Sequence, residues 1–299
     1  MKRFGIVEVG SSTTKGYGYS EDKIEEKDPL VLKLKENYKI YGKFLEEDKK
    51  KLYQYVNDLK EEYGNVEVVG TSFFRNITDE DRKSFSIDFF CNTGIDFEII
   101  SQEEENEYIV YGAVANIKHS NKIAVLIGGG SVTEIVIAEN GKIIEKAKSN
   151  FGTMDMINKY PDLKEDIVTT DYELMVNECK SALNFTENKA EILLLAGGNY
   201  IMFYEKLHYP LKSNIFYIDE NEPYYLEKNA MEAYDYQYLY KTSLNSVKEE
   251  NANTKVWWDG TRGMRLCIKA VVDSVDAKFI IPTKATMVYG IIDKMKKER

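Results

Sequence analysis

Three cysteines in 299 residues are too few and too scattered for a disulfide framework or a structural zinc site. Cys91, Cys179 and Cys267 form no CxxC pair, and free thiols buried in a reducing cytoplasm are the expectation for them. Two histidines, His119 and His208, share no helical or metal-ligand spacing, which argues against histidine-based catalysis. Long apolar runs are missing too. The run Ile192–Ala196 falls far short of the roughly 20 residues a membrane span needs. Met1-Lys2-Arg3-Phe4 leads into a strand-like run and a glycine turn, which is not the pattern of a signal peptide. Basic charge is also in deficit: 40 Lys and Arg against 50 Asp and Glu leave a net charge of −10. A general nucleic-acid binder shows a basic footprint instead. An acidic surface repels polyanions at long range, so any phosphate site here has to be local and specific.

What is present reads as an ordinary globular chain, 43% hydrophobic and 30% charged, long enough for one large or two medium domains. Strand and helix patterns alternate. Residues 4–9 form a short apolar run ending in Gly10-Ser11-Ser12-Thr13, residues 16–19 suit a return strand, and residues 30–34 suit a third. Residues 45–63 carry apolar positions at helical spacing (Leu52, Val56, Leu59, Tyr63) with Gly64 as a cap. A strand at 66–70, a helix over 72–92 broken near 76–79, a strand at 97–100 and a helix from Gln102 to about Asn116 follow. The plan then restarts. Residues 123–127 are apolar, Gly128-Gly129-Gly130-Ser131 is a tight loop, and 132–138 returns as a strand. Asn140-Gly141 signals a hairpin into a third strand at 142–146. Further strands are expected at 192–195 and 214–218, and helices over 222–241, 260–275 and 286–297. The repeated strand, glycine-hydroxyl turn, strand unit predicts a duplicated α/β fold of two domains, 1–118 and 119–299, with a cleft between them.

Both turns offer phosphate chemistry. The glycines at 128–130 expose backbone N–H groups, and Ser131 and Thr133 add hydroxyls. Ser11, Ser12 and Thr13, with Lys15 nearby, provide the same in the first half. Either turn alone suits a plain hairpin; facing each other across a cleft, the pair would clamp one polyphosphate. Glu103-Glu104-Glu105 opens the helix after the strand at 97–100, behind Ser101 as N-cap. Residues just past a strand's C-terminal end line the ligand crevice of doubly wound sheets, so one of these acids can reach the site while the others meet water. Arg75, just past the strand at 66–70, has the geometry to hold phosphate oxygens bidentately.

Taken in order, the chain resembles the exopolyphosphatase and guanosine pentaphosphate phosphohydrolase (Ppx/GppA) family, in its minimal two-domain form. The matching stretches are Val7-Glu8-Val9-Gly10-Ser11-Ser12-Thr13, Gly70-Thr71-Ser72-Phe73-Phe74-Arg75, Ile99-Ile100-Ser101-Gln102-Glu103-Glu104-Glu105 and Ile127-Gly128-Gly129-Gly130-Ser131. Phe151-Gly152-Thr153, Ala196-Gly197-Gly198 and Tyr289-Gly290-Ile291-Ile292 fall where weaker family motifs lie. The resemblance implies an actin-like (ribonuclease H-like) fold, inorganic polyphosphate or guanosine penta- or tetraphosphate as partner, and a hydrolase that releases terminal phosphate from inorganic polyphosphate or guanosine pentaphosphate. It places Glu105 as the general base. Arg75, Ser11, Ser12, Thr13, Gly128, Gly129, Gly130 and Ser131 fall on phosphate-binding positions. Magnesium is the implied cofactor, with Glu8 and Glu134 as candidate ligands.

Several positions depart from the family pattern. Glu8 stands for Asp, Ser12 for Asn and Gln102 for Gly; Leu126 occupies a carboxylate position before the glycine loop, and the acid after the loop is displaced from 133 to Glu134. A one-residue shift on a strand turns a side chain to the other face unless a bulge absorbs it. Two functions therefore stand side by side: a hydrolase, and a catalytically weakened relative that binds polyphosphate or nucleotide as a sensor or partner protein. The tyrosines at 224–225 and 234–240 suit a core or a dimer face, which leaves a homodimer open.

Overall fold

The computed structural model describes residues 3–21, 23–115, 117, 122–183, 186–216, 222–254 and 257–298. The chain divides into two compact units, residues 1–108 with 291–299, and residues 109–290. The break anticipated at 118/119 and His119 lie outside the described residues.

The first unit holds β1 (Arg3–Val9), β2 (Thr13–Ser20), β3 (Lys23–Glu26), β4 (Leu30–Val31), α1 (Leu34–Tyr41), α2 (Glu46–Tyr63), β5 (Val66–Gly70), α3 (Ser72–Arg75), α4 (Asp79–Thr93), β6 (Phe97–Ile99) and the start of α5 (Gln102–Val114). Its sheet runs β3-β2-β1-β5-β6, with β4 on β2. The β1–β2 hairpin is antiparallel, whereas β1, β5 and β6 are parallel. Leu52, Val56 and Leu59 of α2 pack on Val7, Val9 and Val68, as their helical spacing requires. The expected break after residue 75 separates α3 from α4, where the Thr78 hydroxyl caps α4 by accepting from the Asp81 amide at 3.1 Å. Phe44, Phe73, Phe74, Phe85, Phe89 and Phe97 fill the space beneath with ring centroids 4.5–6.2 Å apart.

The second unit continues with β7 (Ile123–Gly128), β8 (Thr133–Glu139), β9 (Lys142–Ser149), α6 (Thr153–Lys159), α7 (Tyr172–Leu183), β10 (Ile192–Ala196), α8 (Tyr200–Lys206), β11 (Lys212–Ser213), β12 (Tyr224–Glu227), α9 (Lys228–Tyr240), α10 (Leu244–Glu250), α11 (Thr261–Val275), β13 (Phe279–Pro282) and α12 (Met287–Glu298), the last passing back into the first unit at Ile291. Its sheet order is β11-β12-β13-β10-β7-β8-β9. An antiparallel trio (β7, β8, β9) joins parallel β10 and β13 in the same sequence as β1, β2, β3 with β5 and β6, so the duplicated α/β fold is the fold observed. Asn140 and Gly141 adopt φ of 53° and 73°, the left-handed pair a two-residue hairpin needs.

Some local expectations moved. The helix expected over 222–241 starts only at Lys228, because Tyr224–Glu227 pairs antiparallel with β13. The strand expected over 214–218 is absent at residues 214–216, and 217–218 lie outside the described residues. Residues 30–34 give two strand residues before α1 begins. Two of the three thiols are buried, Cys179 and Cys267, while Cys91 is exposed.

In the tyrosine-rich segment Tyr238 is buried, Tyr234 and Tyr240 pack half-buried against the core, and Tyr236 is exposed. Arg265 and Asp235, 2% and 1% exposed, pair Nε to Oδ1 at 2.7 Å and Nη2 to Oδ2 at 3.2 Å. Tyr209 donates to the same carboxylate at 2.6 Å and Arg265 donates to Tyr204. Burial alone would discharge the guanidinium, and Asp235 holds it charged.

Candidate active site

Because β1, β5 and β6 are parallel, the loops leaving their C-terminal ends collect at one edge of the first unit's sheet, where open α/β sheets bind ligands. After β1 the chain turns through Gly10, whose amide donates to the Thr13 carbonyl at 3.0 Å. A Cβ on Gly10 would sit 2.8 Å from that carbonyl oxygen, so the turn demands glycine. The Ser11 and Ser12 carbonyls accept from Lys35 and Leu32 at 3.0 and 3.1 Å, which ties the turn to the start of α1. Among the described residues the hydroxyls of Ser11, Ser12 and Thr13 carry no hydrogen bond, and Ser12 is exposed.

Arg75 ends α3, whose start is pinned to β1 by the Thr71 amide on the Val9 carbonyl at 3.2 Å. Its guanidinium donates from Nη1 to the Ile100 carbonyl at 3.0 Å and to Glu105 Oε2 at 2.9 Å, and from Nη2 to Gln102 Oε1 at 2.7 Å. Gln102 is itself held, its Nε2 donating to Oδ1 of buried Asn106 at 3.0 Å. The acidic run divides its labour as helix geometry dictates. Ser101 and Glu104 form a capping box, with the Ser101 amide on Glu104 Oε2 at 2.8 Å and the Glu104 amide on Ser101 Oγ at 3.1 Å. Those hydrogen bonds hold the Glu104 carboxyl below the usual glutamate range. Glu103 is exposed, and Glu105, one step further round, turns to Arg75 with 23% of its side chain exposed.

Glu8, on β1 opposite Lys15 of β2, completes the group. Burial raises its carboxyl above the usual range; Lys15 opposes that rise and the charge on Glu105 adds to it. The first unit thus brings Glu8, Lys15, Arg75 and Glu105 to one place. Gln102, flagged in the sequence only as a departure from the family pattern, belongs with them.

In the second unit the residues at 128–131 are exposed and form the β7–β8 turn, closed by the Gly129 amide on the Val132 carbonyl at 2.8 Å. The carbonyls of Gly129 and Gly130 accept from the amides of Thr153 and Met154 at 3.2 and 2.6 Å. Gly152 permits that approach, since a Cβ there would meet the Gly129 oxygen at 2.5 Å. Acceptors being so occupied, the loop turns its donors outward: among the described residues the amides of Gly130 and Ser131 make no backbone hydrogen bond. Buried Tyr200 backs the loop with its hydroxyl, which lies 3.1 Å from where a Gly128 Cβ would be. Its signal in the sequence was its place directly after Gly197-Gly198-Asn199.

The register of β7 and β8 settles the displaced acid. Leu126 pairs with Ile135, Ile127 with Glu134 and Gly128 with Thr133, in unbroken steps. No bulge absorbs the shift there; the irregularity in this part of the sheet lies between β8 and β9 at Ile137/Ala138. Glu134 therefore lies on the face opposite Leu126 and Thr133. Leu126 is 1% exposed in the apolar core with Ala124 and Ile135, and Thr133 turns inward to donate to the Phe151 carbonyl at 2.7 Å. Among the described residues, no group of three or more His, Cys, Asp or Glu side chains is arranged to hold a metal ion.

The sequence pattern of the Ppx/GppA phosphatase family matches residues 24–194. The chain belongs to this family. Solved members have its fold. The crystal structure of the type II variant of the Aquifex aeolicus Ppx/GppA phosphatase is 14% identical, covers 98% of this chain and 99% of its own, and superposes with a TM-score of 0.78. An exopolyphosphatase from Cytophaga hutchinsonii is 15% identical over 99% of this chain and 98% of its own, with a TM-score of 0.65. A comparison with curated proteins found no match. Among the described residues no helix is long and apolar enough to cross a membrane.

Proposed function

We propose that this chain is a phosphoanhydride hydrolase that releases terminal phosphate from inorganic polyphosphate or from guanosine pentaphosphate. The observation that carries the reading is Arg75 held 2.9 Å from Glu105 beside Glu8, at the C-terminal edge of a parallel sheet. Phosphate oxygens compete with Glu105 for the guanidinium, since both are bidentate partners of arginine. A substrate that takes Arg75 leaves the Glu105 carboxylate free to orient a water and accept its proton. The water oxygen bonds to the terminal phosphorus, the bridging P–O bond breaks, and its electron pair leaves with the shortened chain. Ser11, Ser12 and Thr13 offer hydroxyls to phosphate oxygens in the first unit, and in the second the loop Gly128, Gly129, Gly130 and Ser131 offers the amides of Gly130 and Ser131.

Magnesium is the cofactor proposed with this reading, a cation that keeps several waters and takes one or two side chains plus substrate oxygens. Glu8 in the first unit and Glu134 in the second are, each taken by itself, the carboxylates proposed as its ligands. A bound ion would neutralise charge on the phosphate oxygens. The protein needs such help more than most, because its net charge of −10 gives no long-range attraction. Purified protein with magnesium should release phosphate from one of these substrates. Glu105→Gln should cut that release by about 100-fold or more while leaving the melting curve in place. No release from any of them, or a fully active Gln variant, sinks the mechanism.

Leu126 favours a second reading. An apolar side chain, packed in the core where the family pattern has an acid, leaves one carboxylate fewer for catalysis. A binding-only sensor or partner protein then shows ligand-induced stabilisation without turnover. A flat thermal-shift titration with every phosphate ligand rules that out.

A further inference from the structure

The sheet of the first unit ends on β6, and among the described residues no strand pairs with its outer edge. Natural edge strands are blunted by lysine, proline or bulges. At the opposite edge β3 reads Lys-Ile-Glu-Glu, and β9 at an edge of the second sheet carries Lys142, Lys146 and Lys148. By contrast β6 reads Phe-Glu-Ile, and its one charge, Glu98, is exposed on the face away from Phe97 and Ile99. The Ile100 amide donates inward to the Gly70 carbonyl at 3.3 Å. Residues of the other parity, Phe97 and Ile99, therefore turn their N–H and C=O groups to the free side.

A groove of about 350 Å³ runs beside this edge, lined by Arg82, Lys83, Ser86 and Ile87 of α4 with Phe97 and Ile99 of β6. Its upper wall is apolar and uncovered: Ile87 is 66% exposed and Phe90, three residues on, is 51% exposed. Its lip is cationic. Lys83 makes no ion pair among the described residues. Arg82 meets Asp79 only at 3.4 Å. A cationic lip beside an open strand edge and an apolar wall specifies its occupant: alternating apolar side chains, an extended backbone, and a carboxylate.

We propose that the α4–β6 groove docks an extended acidic and apolar peptide segment of a partner protein, which adds a strand to β6 and sets a carboxylate against Arg82 and Lys83. A second copy of this chain fits poorly. Pairing two β6 edges about a two-fold axis sets the Arg82 and Lys83 pairs of both copies at the same interface, like charge against like. Arg82 also reaches the segment carrying Arg75, its Nη2 donating to the carbonyls of Arg75 and Ile77 at 3.2 and 3.3 Å.

The test is a panning of phage-displayed random heptapeptides on the intact protein, with Ile87→Arg as counter-selection. Ile87 is exposed, so that variant should keep the wild-type melting curve. The expected consensus alternates apolar and acidic residues. The synthetic consensus peptide should slow hydrogen exchange across residues 95–100 and bind at least tenfold more weakly to Lys83→Glu. Three results overturn the proposal: no enrichment over Ile87→Arg, a consensus without acids, or protection confined elsewhere. A wild-type dimer in light scattering that dissociates on Ile87→Arg assigns the groove to a second copy and overturns the acidic partner. None of these readouts depends on phosphohydrolase activity.

Discussion

At the scale of single residues, Arg75 is tied down by three acceptors on the segment 100–105, and each tie has a different consequence. The Ile100 carbonyl is fixed by the fold. Glu105 is charged, and it is the acceptor that phosphate displaces. Gln102 is neutral and anchored through Asn106, so it positions the guanidinium without competing for it electrostatically. Gln102→Ala should weaken tripolyphosphate binding by about 3- to 10-fold in calorimetry, the net value of one ordinary hydrogen bond. An unchanged affinity would show that Ile100 and Glu105 suffice. Glu8 gives a test of a different kind. Burial raises its carboxyl, so the folded protein holds that proton more tightly than the unfolded chain, whose ordinary value is 4.5. Stability is then lost as pH rises from about 4.5 through the folded value. Glu8→Gln should melt above wild type at pH 7, and the gap should close below pH 4.5, where both side chains are neutral. A gap that persists in acid would rule out the carboxylate as its source.

At the scale of elements, the helices of the second unit are tied by one acid. Asp273 on α11 accepts from Lys180 of α7 at 2.6 Å and Lys228 at the start of α9 at 3.0 Å, and Lys269 of its own helix completes the cage. Burial alone would raise its carboxyl, but the three lysines together hold it down to about 2. A depressed carboxyl stabilises the fold above its unfolded value of 3.8, and that stability is lost as pH falls toward 2. Asp273→Asn should therefore cost about 2 kcal/mol in urea unfolding at pH 7 and almost nothing near pH 2. Equal losses at both pH values would mean packing, not charge, explains the effect. Elements also show how far pattern reading reaches. Helix α2 was readable because Leu52, Val56, Leu59 and Tyr63 recur at helical spacing before Gly64, and the α3–α4 break because Asn76 to Asp79 interrupts it. Strand β12 was not, because Tyr224–Glu227 is too short to show a period and becomes a strand only by pairing with β13.

At the scale of the whole molecule, α5 and α12 each run across the division between the two units. The two helices meet at Gly112 and Gly290, where a Cβ on Gly112 would lie 2.8 Å from the Gly290 nitrogen and 2.8 Å from the Tyr289 Cβ. That approach explains glycine at position 112. Gly112→Val should lower stability by about 1–3 kcal/mol through overpacking, read as a fall in the denaturation midpoint. A variant as stable as wild type would show that the contact relaxes freely.

The amino-acid sequence alone determined what depends on local order: the strand-turn-strand unit written twice, the glycine loops, the capped acidic helix start, and through their order the Ppx/GppA family. Tertiary structure decided what depends on meetings across the chain. It set Arg75 on Glu105, thirty residues away, and recruited Gln102 to the same guanidinium. It put Glu134 and Leu126 on opposite faces, which only the β7–β8 register could settle. Local signals sit in the spacing of neighbours, whereas a site is made by side chains whose separation along the chain says nothing of their distance in space.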